Sequence, residues 1–206
     1  MGVLRDAELR EAVHKRLLNH AWRSDDTLVV DELGVLHGAA RVDIAVINGH
    51  IRGLELKADA DTLNRLPRQI DAYGQVVDRA SLVTTDRHID GALKLLPPWW
   101  GVVTASATAS GVQFRRLRPE RANPDVDIVA LLALLWRSEA LDLLLNLDGD
   151  NRAQKMSRKG LYTELSALLP KRVLSAYVRS TLKNRQRWRD RPAPSSCDDS
   201  SPPNAK

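Results

Sequence analysis

The chain has 206 residues, 43% of them apolar and 28% charged, which suffices for one folded core with an appendage. A single cysteine, Cys197, excludes an intrachain disulfide framework and a thiolate zinc site, and five histidines without an H-x₃-H pair give no histidine zinc motif. The net charge of +5 is unevenly laid out: residues 1–150 carry 18 basic against 22 acidic side chains, residues 151–191 carry 12 against 2, an arrangement suited to holding a polyanion beside an acidic site.

"DAELREAVHKRLLNH" puts Leu9, Ala12, Val13 and Leu17 at helical spacing behind Asp6, which reads as the N-cap. "TLVVDELG", "VLHGAARVDIAVIN" and "HIRGLELKA" are rich in β-branched residues and separated by glycine turns, so three successive antiparallel strands are expected. Apolar residues at 63, 66, 70, 73 and 77 then trace one helical stripe with Pro67 in its first turn. "RASLVTT" reads as a buried strand, "HIDGALKLL" as a short helix stopped by Pro97-Pro98, and "WGVVTASA" and "GVQFRRL" as two further strands. The order αβββαβαββ predicts an α/β fold with a mixed sheet sandwiched by helices. "PPWW" is expected to anchor a strand entrance in the core in preference to offering a stacking platform for single-stranded bases, and His88 to be a capping or surface residue in preference to a phosphate contact.

Beyond "RPERANP" the pattern is purely helical. The chain therefore divides into a sheet domain over 1–120, a basic helical subdomain over 121–190 and a Pro/Ser/Asp-rich tail, 191–206, expected to be disordered. A leucine-rich helix over 126–147 offers a surface for a partner or a second copy of the chain. Further on, Arg179, Lys183, Arg187 and Arg189 fall near one helical face, suited to contacting a nucleic-acid backbone. The longest apolar run, residues 128–136, is far short of the ~20 residues of a membrane span, and the N-terminus lacks a signal peptide's apolar core; a cytoplasmic location without membrane contact is expected.

The hairpin "VDIAVINGHIRGLELKAD" carries the chemistry. A bare two-residue Asn48-Gly49 turn would pair 43 with 54 and mix charge with core on both faces. An odd loop or a bulge instead puts Val42, Ile44, Val46, Leu54 and Leu56 on one apolar face and gathers Asp43, Glu55 and Lys57 on the other. Both faces of such a sheet are packed, so the charged group is expected in a cleft. Two carboxylates held together call for a proton, a partner or a bridging cation, and an all-oxygen set suits Mg²⁺ or Mn²⁺.

Asp43 on the second strand, Glu55-Leu56-Lys57 on the third and Gln69-x-x-x-Tyr73 on the following helix resemble the PD-(D/E)XK nuclease superfamily, in its exonuclease-like branch. The likeness covers residues 1 to about 86 and departs in having Val42 where many members carry proline. It implies a restriction-endonuclease-like αβββαβ core and an Mg²⁺-dependent deoxyribonuclease hydrolysing phosphodiester bonds. Asp43, Glu55 and the Leu56 carbonyl would bind the metal, with Glu32, or else Glu8, as an added acid. Lys57 would orient or deprotonate the attacking water, or stabilise developing negative charge. Gln69 and Tyr73, one helical turn apart, with Arg65 and Arg68 a turn earlier, would position the metal site or a phosphate. DNA is the expected substrate, with RNA also compatible, in repair or defence. The alternatives are a catalytically silent nucleic-acid-binding or regulatory subunit, and an interaction protein acting through the leucine-rich helix.

Overall fold

In the computed structural model, which describes residues 2–148 and 151–185, six strands form one mixed sheet in the order β1-β2-β3-β4-β5-β6. The strands are β1 Leu28–Val35, β2 Ala40–Ile47, β3 Ile51–Lys57, β4 Arg79–Thr84, β5 Gly101–Thr108 and β6 Gly111–Arg118. The first three pair antiparallel, as do β5 and β6, whereas β3–β4 and β4–β5 are parallel. Each parallel step is bridged by a helix, α3 Leu66–Val76 and α4 Ile89–Leu95, as parallel neighbours require. The tail expected over 191–206 lies outside the described residues.

At the N-terminus, α1 Asp6–Ala12 runs into a π-helical turn, Val13–Leu17, and the short α2 Asn19–Trp22. Leu9, Val13 and Leu18 pack with Ile44, Val46, Leu54 and Leu56 on one face of the sheet. Asp6 is not the N-cap: that position is Arg5, whose backbone N–H donates to the Glu8 carboxylate at 3.0 Å, and Asp6 opens the helix one residue later. Glu8 thus closes the N-terminal turn and satisfies a main-chain donor.

The other face carries α3 together with α5 Ile128–Leu132, α6 Arg137–Asp148, α7 Arg158–Leu168 and α8 Lys171–Asn184. Val30, Tyr73 and Val76 share a continuous core with Leu131, Leu132, Tyr162, Leu174 and Val178. The leucine-rich stretch 126–147 is not one helix, because the chain turns between α5 and α6 and points Leu131, Leu132, Leu134, Leu135 and Leu144 into that core. Of its large apolar residues, Trp136 and Leu147 remain exposed. No helix among the described residues is long and apolar enough to cross a membrane.

The β2–β3 loop is Asn48-Gly49-His50, three residues between the pair Ile47↔Ile51, so Ile44 stands opposite Leu54. This is the odd loop that the apolar pattern demands. Val42 departs from that pattern: it lies with Tyr73 on the α3 side, whereas Ile44 and Val46 lie on the α1 side. The face exchange also occurs on β1, where Val30 and Leu33 share a side despite their odd spacing. Between them, opposite Asp43, Glu32 takes φ 56°, a left-handed conformation that pivots both strands.

Candidate active site

The β2–β3 ladder ends at Ile44↔Leu54, and there the two strands splay apart. Asp43 fills the gap: its Oδ2 accepts the Leu56 N–H at 2.8 Å in place of a main-chain carbonyl. From the α1 side Arg10 donates to the Asp43 carbonyl at 3.1 Å and to Glu32 Oε1 at 3.2 Å. On the α3 side Glu55 is wholly buried and Lys57 nearly so. Lys57 Nζ donates to Glu55 Oε1 and, at 3.2 Å, to Gln69 Oε1. Glu55 Oε2 accepts the Tyr73 hydroxyl at 2.8 Å, and the same hydroxyl accepts the Asp43 backbone N–H at 3.1 Å. One tyrosine oxygen thereby fixes the strand that bears one carboxylate and the side chain of the other.

These groups line a cleft of about 780 Å³ whose rim carries Glu32, Arg41, Arg65 and Arg68. Arg65 and Arg68 are exposed and have no hydrogen-bond or ion-pair partner among the described residues. Glu32, 46% exposed, lies between Arg10 and Arg41. Burial pushes the Asp43 carboxyl above its ordinary range against the pull of the Leu56 N–H, Lys57 and Arg10. Burial, with the charge of Asp43 added, pushes Glu55 up to about 7, although Lys57 and Tyr73 oppose it. Burial thus favours the protonated form of both carboxyls, against Lys57 beside both and Arg10 beside Asp43. Among the described residues no three His, Cys, Asp or Glu side chains converge. The donors on offer are the two carboxylates and main-chain oxygen, the sparse all-oxygen set that Mg²⁺ accepts while keeping its own waters.

Asp43, Glu55, Leu56, Lys57, Gln69, Arg68 and Glu32 thus all border one cleft, with Tyr73 beneath it. The other expected contacts lie elsewhere. Glu8 caps α1. Lys183 Nζ is ion-paired with Asp26, and Arg179 lies 3.9 Å from Asp78, so these charges tie α8 to the sheet domain instead of facing the cleft. Arg187 and Arg189 fall outside the described residues. His88 is neither at the surface nor capping a helix through its side chain: it is buried and bonded to the Ala58 carbonyl at 3.0 Å, while Trp100 is fully buried against Tyr73 at 5.1 Å.

Two supporting residues escaped the sequence reading. A side chain at Gly53 would meet Tyr73 Cε1 at 2.8 Å, so the bare backbone there lets the ring reach the carboxylates. The available signal was a glycine inside a strand, which marks a close approach of some neighbour. Arg10 carried no signal, because its partners are 22 and 33 residues away in sequence.

Residues 2–191 match the family model described as bacteriophage P4 protein cII. The chain belongs to that family. Protein cII of Enterobacteria phage P4 is 27% identical over 183 residues, which cover 89% of this chain and 68% of the phage protein. A solved structure of a protein of unknown function from Silicibacter pomeroyi is similar over 70% of this chain and 92% of its own, at 23% identity and a TM-score of 0.40. The span matched to the P4 cII family takes in both the cleft and the C-terminal helices.

Proposed function

We propose that this P4 cII-family protein is a metal-dependent nuclease of the PD-(D/E)XK type, hydrolysing phosphodiester bonds in DNA. The observation that carries the reading is the odd β2–β3 register, with Asp43, Glu55 and Lys57 bordering one cleft beside Gln69 and Tyr73 bonded to Glu55 beneath it. The order helix, three antiparallel strands, helix, parallel strand also accords with the restriction-endonuclease-like core.

Asp43, Glu55 and the Leu56 carbonyl are the residues that would hold Mg²⁺ or Mn²⁺. Two carboxylates and a main-chain oxygen bordering one cleft are the kind of oxygen set such an ion takes. When bound, the ion supplies charge for the phosphoryl oxygens and acidity for a water in an in-line displacement. Tyr73 keeps Glu55 pointed into the cleft. Lys57 has three N–H donors, two of them directed at Glu55 and Gln69, which leaves one for the attacking water or a phosphoryl oxygen. Arg65 and Arg68, without a hydrogen-bond or ion-pair partner among the described residues, meet the phosphates that flank the scissile bond.

The test is cleavage of single- and double-stranded DNA by wild type, Asp43→Asn and Lys57→Ala in Mg²⁺ or Mn²⁺, with folding followed by circular dichroism. A fall in rate on the order of a hundredfold or more is expected in each folded variant. Cleavage that persists in both variants defeats the assignment. DNA binding with no cleavage by wild type would instead select the silent binding-subunit reading.

A further inference from the structure

A second pocket, of about 440 Å³, opens at the far end of the sheet, where β2 finishes and β3 and β4 begin. It lies on the α1 side: Val46, Leu17 and Leu18 wall it, and Val46 belongs to the core beneath α1. The candidate nuclease cleft is at the opposite end of β3, and the two pockets have no lining residue in common.

Its charges are arranged in an unusual way. Arg52 and Arg79 occupy directly partnered positions on the neighbouring parallel strands β3 and β4. Like charges side by side across a sheet are destabilising unless something neutralises them. Glu120 does so for one: its Oε2 accepts Arg52 Nε at 2.7 Å and the Ser81 hydroxyl at 2.7 Å. It is the one acidic residue lining the pocket. The half-buried Arg79 guanidinium makes no hydrogen bond or ion pair among the described residues. His20 and His50 also line the pocket, and their side chains make no hydrogen bond or ion pair among the described residues.

We propose that this pocket is a binding site for a phosphate monoester, held by Arg79 and Arg52 with His20 and His50 as further donors. A guanidinium fork matches phosphate oxygens geometrically, and Arg79 is the one not already engaged. The volume is within the range of small-ligand sites, and the apolar wall of Leu17, Leu18 and Val46 gives room for a ring beside the phosphate, as in a nucleoside monophosphate. The proposal stands independently of the nuclease reading.

Calorimetric titration of the full chain with inorganic phosphate, adenosine monophosphate and adenosine tests it. Binding of the phosphate-bearing ligands but not of adenosine is expected, and the affinity of the nucleotide relative to free phosphate tells which of the two sources the pocket favours. Arg79→Gln should weaken binding about tenfold or more, the worth of one charge-assisted hydrogen bond, and His50→Ala, at an exposed position, should weaken it without affecting folding. Arg68→Gln, in the cleft, should leave it unchanged. No binding, equal affinity in Arg79→Gln and His50→Ala, or loss confined to Arg68→Gln would overturn the proposal.

Discussion

Glu55 shows how far the fold goes against ordinary carboxylate preference. It is buried beside a second carboxylate, and its pKa is raised from 4.5 to about 7, chiefly by burial. Between roughly those two values the folded protein keeps a proton that the unfolded chain has lost, so stability falls as pH rises through that window and levels off above it. The full difference corresponds to about 3 kcal/mol. Asp43 is displaced in the same direction and adds to the slope. With chelator present, the melting temperature should therefore drop from pH 5 to pH 8, and Glu55→Gln should remove most of the drop because no proton is exchanged there. Mn²⁺ at pH 8 should restore the loss in wild type through preferential binding to the native state. A flat melting profile in the wild type would mean that the charge of Lys57 and the hydrogen bond from Tyr73 already hold the carboxylates ionised.

At the scale of the elements, the sequence made the hairpin register legible because apolar alternation admits one pairing that leaves a clean core face. The kink beside it was not legible. It turns on Glu32 at φ 56°, with Leu36 at 51° and His37 at 58° in the β1–β2 turn, and neither Glu nor Leu is a residue type that advertises a left-handed backbone. Such a conformation costs on the order of 1 kcal/mol in a residue with a long side chain, and strain of this kind persists only where the surrounding structure over-determines it. The interactions of Glu32 with Arg10 and Arg41 are at the surface and offset little of that. Asn tolerates the left-handed region better than Glu, so Glu32→Asn should raise the melting temperature by roughly 2–4 °C in a chain of this size. If Glu32 is the additional acid of the cleft, the same variant should lose Mg²⁺-dependent cleavage. A variant that is stabilised and fully active would remove Glu32 from the site and leave the strain serving only to aim Asp43.

Over the whole molecule, composition marked residues 151–191 as basic, but it could not show where those charges point. Lys183 meets Asp26, 157 residues away, and Arg185 holds Glu139 at 2.5 Å, the Leu134 carbonyl at 2.8 Å and the Trp136 ring at 4.3 Å. Exposed pairs such as Lys183–Asp26 contribute at most about 1 kcal/mol. The adhesion of the C-terminal helices comes instead from buried apolar surface: Leu131, Tyr162, Leu174 and Val178 complete the core that Val30, Tyr73 and Val76 begin. Lys171 adds a bond to the Val126 carbonyl at 2.5 Å, and Tyr162 one to the Leu135 carbonyl at 2.9 Å. A fragment of residues 1–120 would keep every strand yet leave this face of the sheet, Tyr73 included, without most of its cover. At about 25 cal/mol per Å² of apolar surface, uncovering even 400 Å² removes about 10 kcal/mol, which is comparable to the entire stability of a typical domain. The fragment should therefore lack a cooperative melting transition and bind a hydrophobic dye, whereas the chain ending at residue 185 should melt as one unit. A fragment of 1–120 that melts cooperatively and cleaves DNA would instead make the C-terminal helices a separable appendage, with Tyr73 and the carboxylates it orients supported by the sheet, α1 and α3 alone.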